Sequence, residues 1–270
     1  MTQVDHIPAL RRIWLFAVTG LVLAFLVLPV LIVIPVSFSA SSLLEFPPKA
    51  WSLRWYESYF GSVEWRDATW MSVEVAILST LVATPAGVAA AYGLNLAALR
   101  FAGALRLLIL APLLVPTILT GVGIFYVYAR LGLNNTLLGM TLAHAMLSLP
   151  FVVVSVAAGL QSYDMTQERV ARSLGAPWLR AFLSITLPQI RLPVASGALL
   201  AFIASFDEVI VTYFTAGSNN TLPLIIFGYI REGLRLPVVN VIVLVVLLLT
   251  VIPVVISVRL TRDTGVIRRR

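Results

Sequence analysis

The chain has 270 residues, of which 60% are apolar and 11% are charged, and its mean hydropathy is +0.97. This composition excludes an ordinary water-soluble domain, in which about 25% of the residues are charged. The net charge of +7 does not indicate nucleic acid, because the basic residues are scattered between apolar stretches, where anionic lipid and membrane topology explain them better. The lack of cysteine excludes disulfides, thiolate metal sites and cysteine nucleophiles.

Apolar stretches of about 20 residues recur along the chain, and this length suits a helix that crosses a bilayer. We therefore predict an all-α membrane protein, one domain over residues 1–270, with six spans at about 13–38, 68–93, 107–129, 137–160, 193–216 and 238–260. The first span is too long for the apolar region of a secretory signal, so it is predicted to be an uncleaved anchor, kinked at Pro29 and Pro35.

The segment between the first two spans, residues 39–67, alternates aromatic with charged side chains. That mixture is typical of a membrane interface. Two interpretations remain open: an interfacial helix that meets an outside partner, or an aromatic belt that anchors the helix bundle.

The distribution of basic residues predicts the orientation. With the N-terminus in the cytoplasm, 13 of the 19 basic residues face inside and six face outside. Positive charge in short loops stays on the cytoplasmic side. We therefore expect both termini to lie in the cytoplasm. The six outside residues are Lys49, Arg54, Arg66, Arg130, Arg231 and Arg235.

One long cytoplasmic loop is predicted, at residues 161–192, between the fourth and fifth spans. Asp164 or Thr166 is suited to cap a first helix, Gly175 to end it in a left-handed conformation, and Pro177 to start a second. The second helix is predicted to carry Trp178, Phe182 and Ile185 on one side, and to break at Leu187-Pro188. Such an amphipathic pair of helices either docks in a groove on a protein or lies on lipid.

The loop resembles the EAA loop of the permeases of ABC importers. The resemblance rests on the order and spacing of seven residues, namely Glu168, Ala171, Gly175, Ala176, Ile185, Leu187 and Pro188. In that family the loop sits in a cleft of a cytoplasmic ATPase and couples it to the pore. The sequence departs from the pattern, because Arg169 and Val170 stand at the positions of the usual glutamate and first alanine, so Glu168 is the candidate for the acidic contact.

The resemblance extends over nearly the whole chain and implies the type I importer permease fold. Five further short segments are similar to the spermidine/putrescine subfamily, in particular to its second permease: residues 47–48, 51–56, 205–209, 213–217 and 221–224. The resemblance to importer permeases implies four kinds of partner: a second permease, two copies of an ATPase, a periplasmic binding protein and membrane lipid. No cofactor is expected on this chain, since ATP and Mg would bind the ATPase. The chain itself is expected not to be an enzyme, and its place is the bacterial inner membrane.

Two adjacent acids, Asp207 and Glu208, fall within the predicted fifth span. A carboxylate at that depth costs roughly 2.5–3.5 kcal/mol on insertion scales, so it should face a water-filled path or a counter-charge. Because successive helix residues point about 100° apart, only one of the two can face a narrow pore squarely. Together with Tyr213, they are the candidate pathway residues, and a structural salt bridge is the alternative.

Other polar positions in the spans carry weaker hypotheses. His144 could be a proton or substrate site, but a lone histidine on an apolar helix is more often hydrogen-bonded within the bundle. A hydrolase is disfavoured, because Ser205 near Asp207 shows no nearby histidine in the sequence. Gly87, Gly121 and Gly123 are predicted packing sites.

Two other functions, an ATPase and a secondary transporter, fit the sequence less well than an importer permease does. The P-loop of an ATPase needs a lysine after a glycine-rich segment, and the sole Lys49 follows Pro48. An ion-coupled secondary transporter also uses intramembrane acids, but the sequence shows no inverted repeat. The favoured cargo is putrescine or spermidine, with another small cationic or amino-acid-like solute, or ferric ion, as the alternative.

Overall fold

The computed structural model describes residues 9–42, 45–96, 100–232 and 255. In these ranges the chain is helical, and the only β contact is an antiparallel bridge between Ser39 and Trp51. The described residues fall into two compact units, one ending at Ser62 and the other running from Val63 to Arg231.

The first unit contains a long helix and a short one. Helix α1, Ala9–Ser37, continues through Pro29 and Pro35, and helix α2 is Arg54–Gly61. The hydroxyl groups of Ser37 and Tyr56 lie 2.8 Å apart, and the Tyr56 ring stacks on Phe38 at 5.0 Å between centroids. This contact packs α2 against the end of α1.

The second unit contains the remaining described helices. They are α3 Val63–Leu96, α4 Ala102–Leu114, α5 Thr117–Leu131, α6 Leu137–Gln161, α7 Thr166–Ser173, α8 Trp178–Ala181, α9 Leu187–Gln189, α10 Arg191–Phe206, α11 Ile210–Thr215 and α12 Leu222–Glu232, with a π-helix, Phe182–Thr186, between α8 and α9. Its core is formed where α3, α6 and α10 pack on one another.

Small residues bring the three core helices close together. A Cβ added at Gly87 would lie 2.7 Å from the Val152 side chain, and one at Gly197 would lie 3.0 Å from the Val152 backbone. On α5, a Cβ at Gly121 would lie 2.6 Å from Phe214. The packing predicted for Gly87 and Gly121 is confirmed, whereas Gly123 faces open space.

The predicted spans agree with the helices where the helices are continuous. The first, second and fourth spans correspond to α1, α3 and α6, each to within about five residues at either end. Three described helices are long and apolar enough to cross a bilayer, and the count reaches five if each of two bent helix pairs forms one span. The predicted sixth span, 238–260, lies outside the described residues apart from position 255.

The third and fifth predicted spans are each interrupted by a break in the helix. At residues 115–116 the chain bends by 104° between α4 and α5. Pro116 has no amide hydrogen and pushes Val115 out of the helical region, to φ −85° and ψ 133°. The predicted fifth span stops at Phe206 and resumes as α11 at Ile210.

Asn135 ties the turn between α5 and α6 to the turn after α11. Its backbone N–H donates to the Thr215 carbonyl at 2.9 Å, and its side-chain oxygen accepts from the Ser218 N–H at 2.9 Å. Asn219 donates through its amide to the Asn135 carbonyl at 3.1 Å. Both Asn135 and Gly217 have φ of 59°, the left-handed region that asparagine tolerates and glycine favours.

We expect Gly217→Ala to destabilise this connection. The new Cβ would stand 2.5 Å from the Asn135 side-chain oxygen, at a φ that disfavours any Cβ. The left-handed conformation alone costs about 1–2 kcal/mol, so thermal unfolding in detergent should begin several degrees lower. Gly123→Ala is the control, since its Cβ would meet nothing within 4 Å. Equal unfolding temperatures for the two variants would refute the connection.

Candidate functional site

The loop of residues 161–192 folds as two short helices joined at a glycine, as predicted. Asp164 accepts a hydrogen bond from the Thr166 N–H at 2.9 Å. Hydrogen bonds from the side chain and then the backbone of Thr166 lower the pKa of the exposed Asp164 carboxyl group. Gly175 has φ of 93° and ends α7, and Pro177 precedes the first residue of α8. The N–H of Ala176 donates to the Ala171 carbonyl at 3.1 Å and closes the turn.

The second half of the loop differs from the prediction. The helix does not break at Leu187-Pro188, since the chain stays helical from α8 through the π-helix to Gln189, and Pro188 lies within α9. The sharp bend of 78° comes afterwards, between Gln189 and Arg191.

The predicted apolar stripe of the second helix is divided between two sides of the loop. Trp178 is 59% exposed, whereas the Phe182 ring packs on Tyr92 of α3 at 4.7 Å between centroids. Phe182 begins the π-helix, whose wider turns alter the helical spacing of the residues that follow. The 3.6-residue spacing assumed in the prediction does not hold across this segment.

Glu168 is turned into the protein and is only 1% exposed. One carboxylate oxygen accepts from the Tyr92 hydroxyl at 2.5 Å, and the other accepts from the Thr186 hydroxyl at 2.5 Å. Glu168 therefore offers no exposed acidic contact in this structure, because its carboxylate is used within the chain, and its role in an acidic contact with an ATPase stays a prediction. Sequence reasoning had no signal for Tyr92, which lies 76 residues away.

The exposed apolar side chains of the loop lie around Gly175. Leu174 is 83% exposed, and five such side chains, here named the docking residues, are Val170, Leu174, Trp178, Leu179 and Leu183. Arginines 169, 172 and 180 are exposed beside them. Of the other predicted loop residues, Ala171, Ala176, Ile185 and Leu187 are half-buried, and Pro188 is exposed. Exposed apolar groups beside cations suit a groove on another protein or a lipid surface.

The two predicted pathway acids have different surroundings, as their helical spacing suggested. Asp207 ends α10 and is exposed, and Tyr213 is 56% exposed on α11. Glu208 is half-buried, and its carboxylate accepts from the Val211 N–H at 2.9 Å. Glu208 thus caps α11 at the helix break, and Asp207 is the carboxylate left exposed there.

His144 belongs to a buried chain of hydroxyl groups. Its Nδ1 lies 2.9 Å from the Ser205 hydroxyl, and its Nε2 lies 2.9 Å from the Thr212 hydroxyl. Thr212 donates to the Glu208 carbonyl at 2.8 Å, so its oxygen accepts from Nε2–H. Ser79 donates to the Ser205 hydroxyl at 2.8 Å, and the Ser205 carbonyl lies 3.1 Å from Nδ1. The bonding expected within the bundle is confirmed.

A histidine does lie beside Ser205, contrary to the sequence-based argument against a hydrolase. The two residues are 61 positions apart, so their contact could not be predicted from the sequence. Both ring nitrogens are already bonded to hydroxyl groups, and Thr212 takes the position where a triad has its orienting carboxylate. The arrangement holds α3, α6, α10 and α11 together rather than activating a nucleophile.

A cleft of about 470 Å³ lies at the first turns of α3. Glu64, Asp67 and Trp70 line one side, and the turn of residues 218–220 lines the other. Within the described ranges, no group of three or more His, Asp or Glu side chains is arranged to hold a metal ion.

The comparisons with known proteins decide the family. Residues 83–264 match the family described as the inner membrane component of binding-protein-dependent transport systems. The chain belongs to this family. It is therefore a multi-pass inner-membrane permease component and not an enzyme, and such systems combine it with a binding protein and an ATPase.

Two curated relatives cover most of this permease. The putrescine transport system permease protein PotI of Escherichia coli is 30% identical over 87% of this chain and 86% of its own. The spermidine/putrescine transport system permease protein PotC of Haemophilus influenzae is 30% identical over 95% of this chain and 98% of its own.

A solved structure shares the fold of the permease. It is a bacterial ABC transporter involved in the import of the acidic polysaccharide alginate, with a TM-score of 0.71 and 14% identity, covering 98% of this chain and 99% of that chain. At this identity the likeness supports the fold alone. The predicted importer permease fold is confirmed, although the count of six spans is not.

Proposed function

We propose that this permease carries putrescine or spermidine across the bacterial inner membrane as one subunit of an ATP-driven importer. The observation that carries the proposal is the alignment with two polyamine permeases over 87% and 95% of the chain. The exposed Asp207 at the break between α10 and α11 supports a cationic cargo, because a carboxylate at a membrane pathway attracts amines and repels anions.

The assembly we propose has four kinds of component. This chain pairs with a second, similar permease, and two copies of a cytoplasmic ATPase and one periplasmic binding protein complete the complex. The chain binds no cofactor, and ATP and Mg bind the ATPase. Both termini face the cytoplasm, which the excess of arginine in the loops on that side supports. The same arginines face anionic lipid.

The docking residues around Gly175 give the ATPase a surface to push on. They are apolar and exposed in this chain, and burying them in a groove of the ATPase removes that surface from water. The loop joins α6 to α10, so ATPase closure moves the ends of both helices. Rigid-body movement of packed helices then exposes the pathway alternately to the two sides of the membrane.

Three residues at the helix break have distinct proposed roles in the pathway. Asp207 attracts the cationic amine, Glu208 holds the break by capping α11, and the exposed ring of Tyr213 contacts the amine from the same short helix. An aromatic face attracts a cation by about 0.5–2 kcal/mol. Polar backbone at a helix break is tolerated in a membrane where it lines a cavity.

The cleft between Glu64, Asp67 and the turn of residues 218–220 is proposed to face the binding protein. In the proposed orientation it opens on the periplasmic side. Its two carboxylates suit basic side chains on that partner, because complementary charges guide association.

The test is the ATPase activity of the complete complex in lipid discs, titrated with binding protein. We expect loading of the binding protein with putrescine or spermidine to raise hydrolysis severalfold over the unloaded protein. Stimulation by a binding protein loaded with another solute would replace the cargo and keep the importer. A permease that binds no ATPase and transports with an ion gradient would refute the importer itself.

A further inference from the structure

The buried carboxylate of Glu168 joins parts of the second unit that are distant in sequence. Tyr92 lies near the end of α3, Glu168 is in α7, and Thr186 ends the π-helix. Tyr163, just after α6, completes the group, since its hydroxyl lies 3.1 Å from the Thr186 hydroxyl. Because Thr186 donates its proton to Glu168, its oxygen accepts from Tyr163.

The direct partners of the carboxylate are hydroxyl groups, and the charge of Arg172 acts on the Tyr92 hydroxyl from outside ion-pair distance. Among the residues that the structure describes, the only ion pair within 4.0 Å joins Lys49 and Glu45. A buried carboxylate costs free energy unless its oxygens are bonded, and hydrogen bonds to a charged acceptor are about twice as strong as neutral ones. Losing the Tyr92 donor would therefore leave the buried charge partly uncompensated.

The π-helix directs two contacts toward the same end of α3. Phe182 at its start packs on the Tyr92 ring, and Thr186 at its end bonds the carboxylate that Tyr92 also bonds. Single π-helical turns are rare and are found frequently at functional sites. Both the ring and the hydroxyl group of Tyr92 are therefore held by the loop, although α3 and the loop are far apart along the chain.

We propose that Tyr92 is a coupling residue that makes α3 move with the cytoplasmic loop. The proposal rests on the function proposed above, in which an ATPase pushes on that loop. The loop is already continuous with α6 and α10, and the Tyr92–Glu168 bond adds α3 as a third moving helix. Helix α3 is continuous from Tyr92 back to Asp67, about 38 Å away, so the movement reaches the cleft at its other end.

The first test is Tyr92→Phe in the complete transporter, reconstituted in proteoliposomes. The substitution removes the hydroxyl group and keeps the ring that packs on Phe182. We expect ATP hydrolysis stimulated by loaded binding protein to persist, while polyamine import per ATP falls roughly two- to thirtyfold. Unchanged import per ATP would overturn the proposal, and so would a proportional loss of both activities with a lowered unfolding temperature, since that indicates a purely structural role.

Tyr56→Phe is the matched control. Tyr56 also loses one hydroxyl contact, to Ser37 at 2.8 Å, and also keeps its ring stacking, on Phe38. Import per ATP should stay at the wild-type value in this variant. A loss equal to that of Tyr92→Phe would overturn the proposal, because it would show that any lost tyrosine hydroxyl has the same effect.

A distance measurement tests the link without using transport. Since the chain has no cysteine, spin labels can be placed at Asn95→Cys on α3 and Ser173→Cys on α7, both exposed positions. In the complex with wild-type Tyr92, the distance should be the same with and without ATP, and in Tyr92→Phe it should shift or broaden with ATP. A wild-type distance that changes with ATP would overturn the proposed coupling of α3 to the loop. ATP hydrolysis that does not depend on polyamine would overturn only the proposed cargo.

Discussion

Gly175→Val should abolish the stimulation of ATP hydrolysis by loaded binding protein. Gly175 has φ of 93°, and a β-branched side chain in such a conformation costs about 1–3 kcal/mol. The variant must leave the left-handed turn, so the Ala176 to Ala171 bond opens. Leu174 and Trp178, on either side of the turn, then no longer present their apolar side chains in one arrangement. Stimulated hydrolysis in lipid discs should fall by about tenfold or more.

The permease itself should fold normally in this variant. A Cβ at Gly175 would meet nothing within 4 Å, so the substitution changes the loop and not the helix core. Gly103→Val is the control, because its Cβ also faces open space and its φ is not positive. Stimulation at the wild-type value in Gly175→Val would show that the geometry of this turn does not matter for coupling.

Asp207→Asn should reduce polyamine transport much more than it reduces ATP hydrolysis. The amide keeps the size of the side chain and removes the charge that we propose attracts the passing amine. A charge interaction at 4 Å is worth about 4 kcal/mol in a partly shielded site. Even a third of this, about 1.4 kcal/mol, corresponds to a tenfold change, and we expect at least that loss in uptake of labelled putrescine or spermidine by proteoliposomes.

Two further variants separate charge from structure at this position. Glu208→Gln keeps an oxygen that can accept from the Val211 N–H, so it should retain most transport and stability. Glu57→Gln removes an exposed carboxylate on α2 and should have no effect. If Glu208→Gln lost transport and Asp207→Asn retained it, the pathway acid would be Glu208.

Local sequence was sufficient where one residue or one regular period determines the structure. The lengths of the continuous apolar stretches predicted α1, α3 and α6, and the position of Gly175 predicted the end of α7. A glycine with positive φ depends on its own backbone, and a continuous apolar helix depends on its own composition. These features need no information about distant residues.

The helix breaks could not be predicted, because proline is ambiguous in apolar helices. Pro85 and Pro150 lie inside helices that continue, whereas Pro116 stands at a bend of 104°. Neighbouring helices can supply the bonds that a proline removes, so the outcome is set by packing. The break after Phe206 has no proline and is held by the Glu208 cap on α11.

The partners in the buried polar contacts could not be predicted from the sequence either. Glu168 stands in an exposed-looking, charged helix, and only the folded chain brings Tyr92 to it. His144 and Ser205 were each noticed as isolated polar residues, yet their contact joins α6 to α10. A polar residue in an apolar segment signals that a partner exists, but a single sequence does not say which one.

The separation of Tyr92 and Glu168 along the chain also orders events during biosynthesis. They are 76 residues apart, and ribosomes add about 5–20 residues per second. Helix α3 is therefore made about 4–15 s before its carboxylate partner leaves the ribosome. During this interval the Tyr92 hydroxyl must bond water or lipid head groups, and α3 is free to adjust its depth and rotation in the bilayer. Its final position is fixed only when the loop has been translated, which makes the Glu168 contact a late step of membrane assembly.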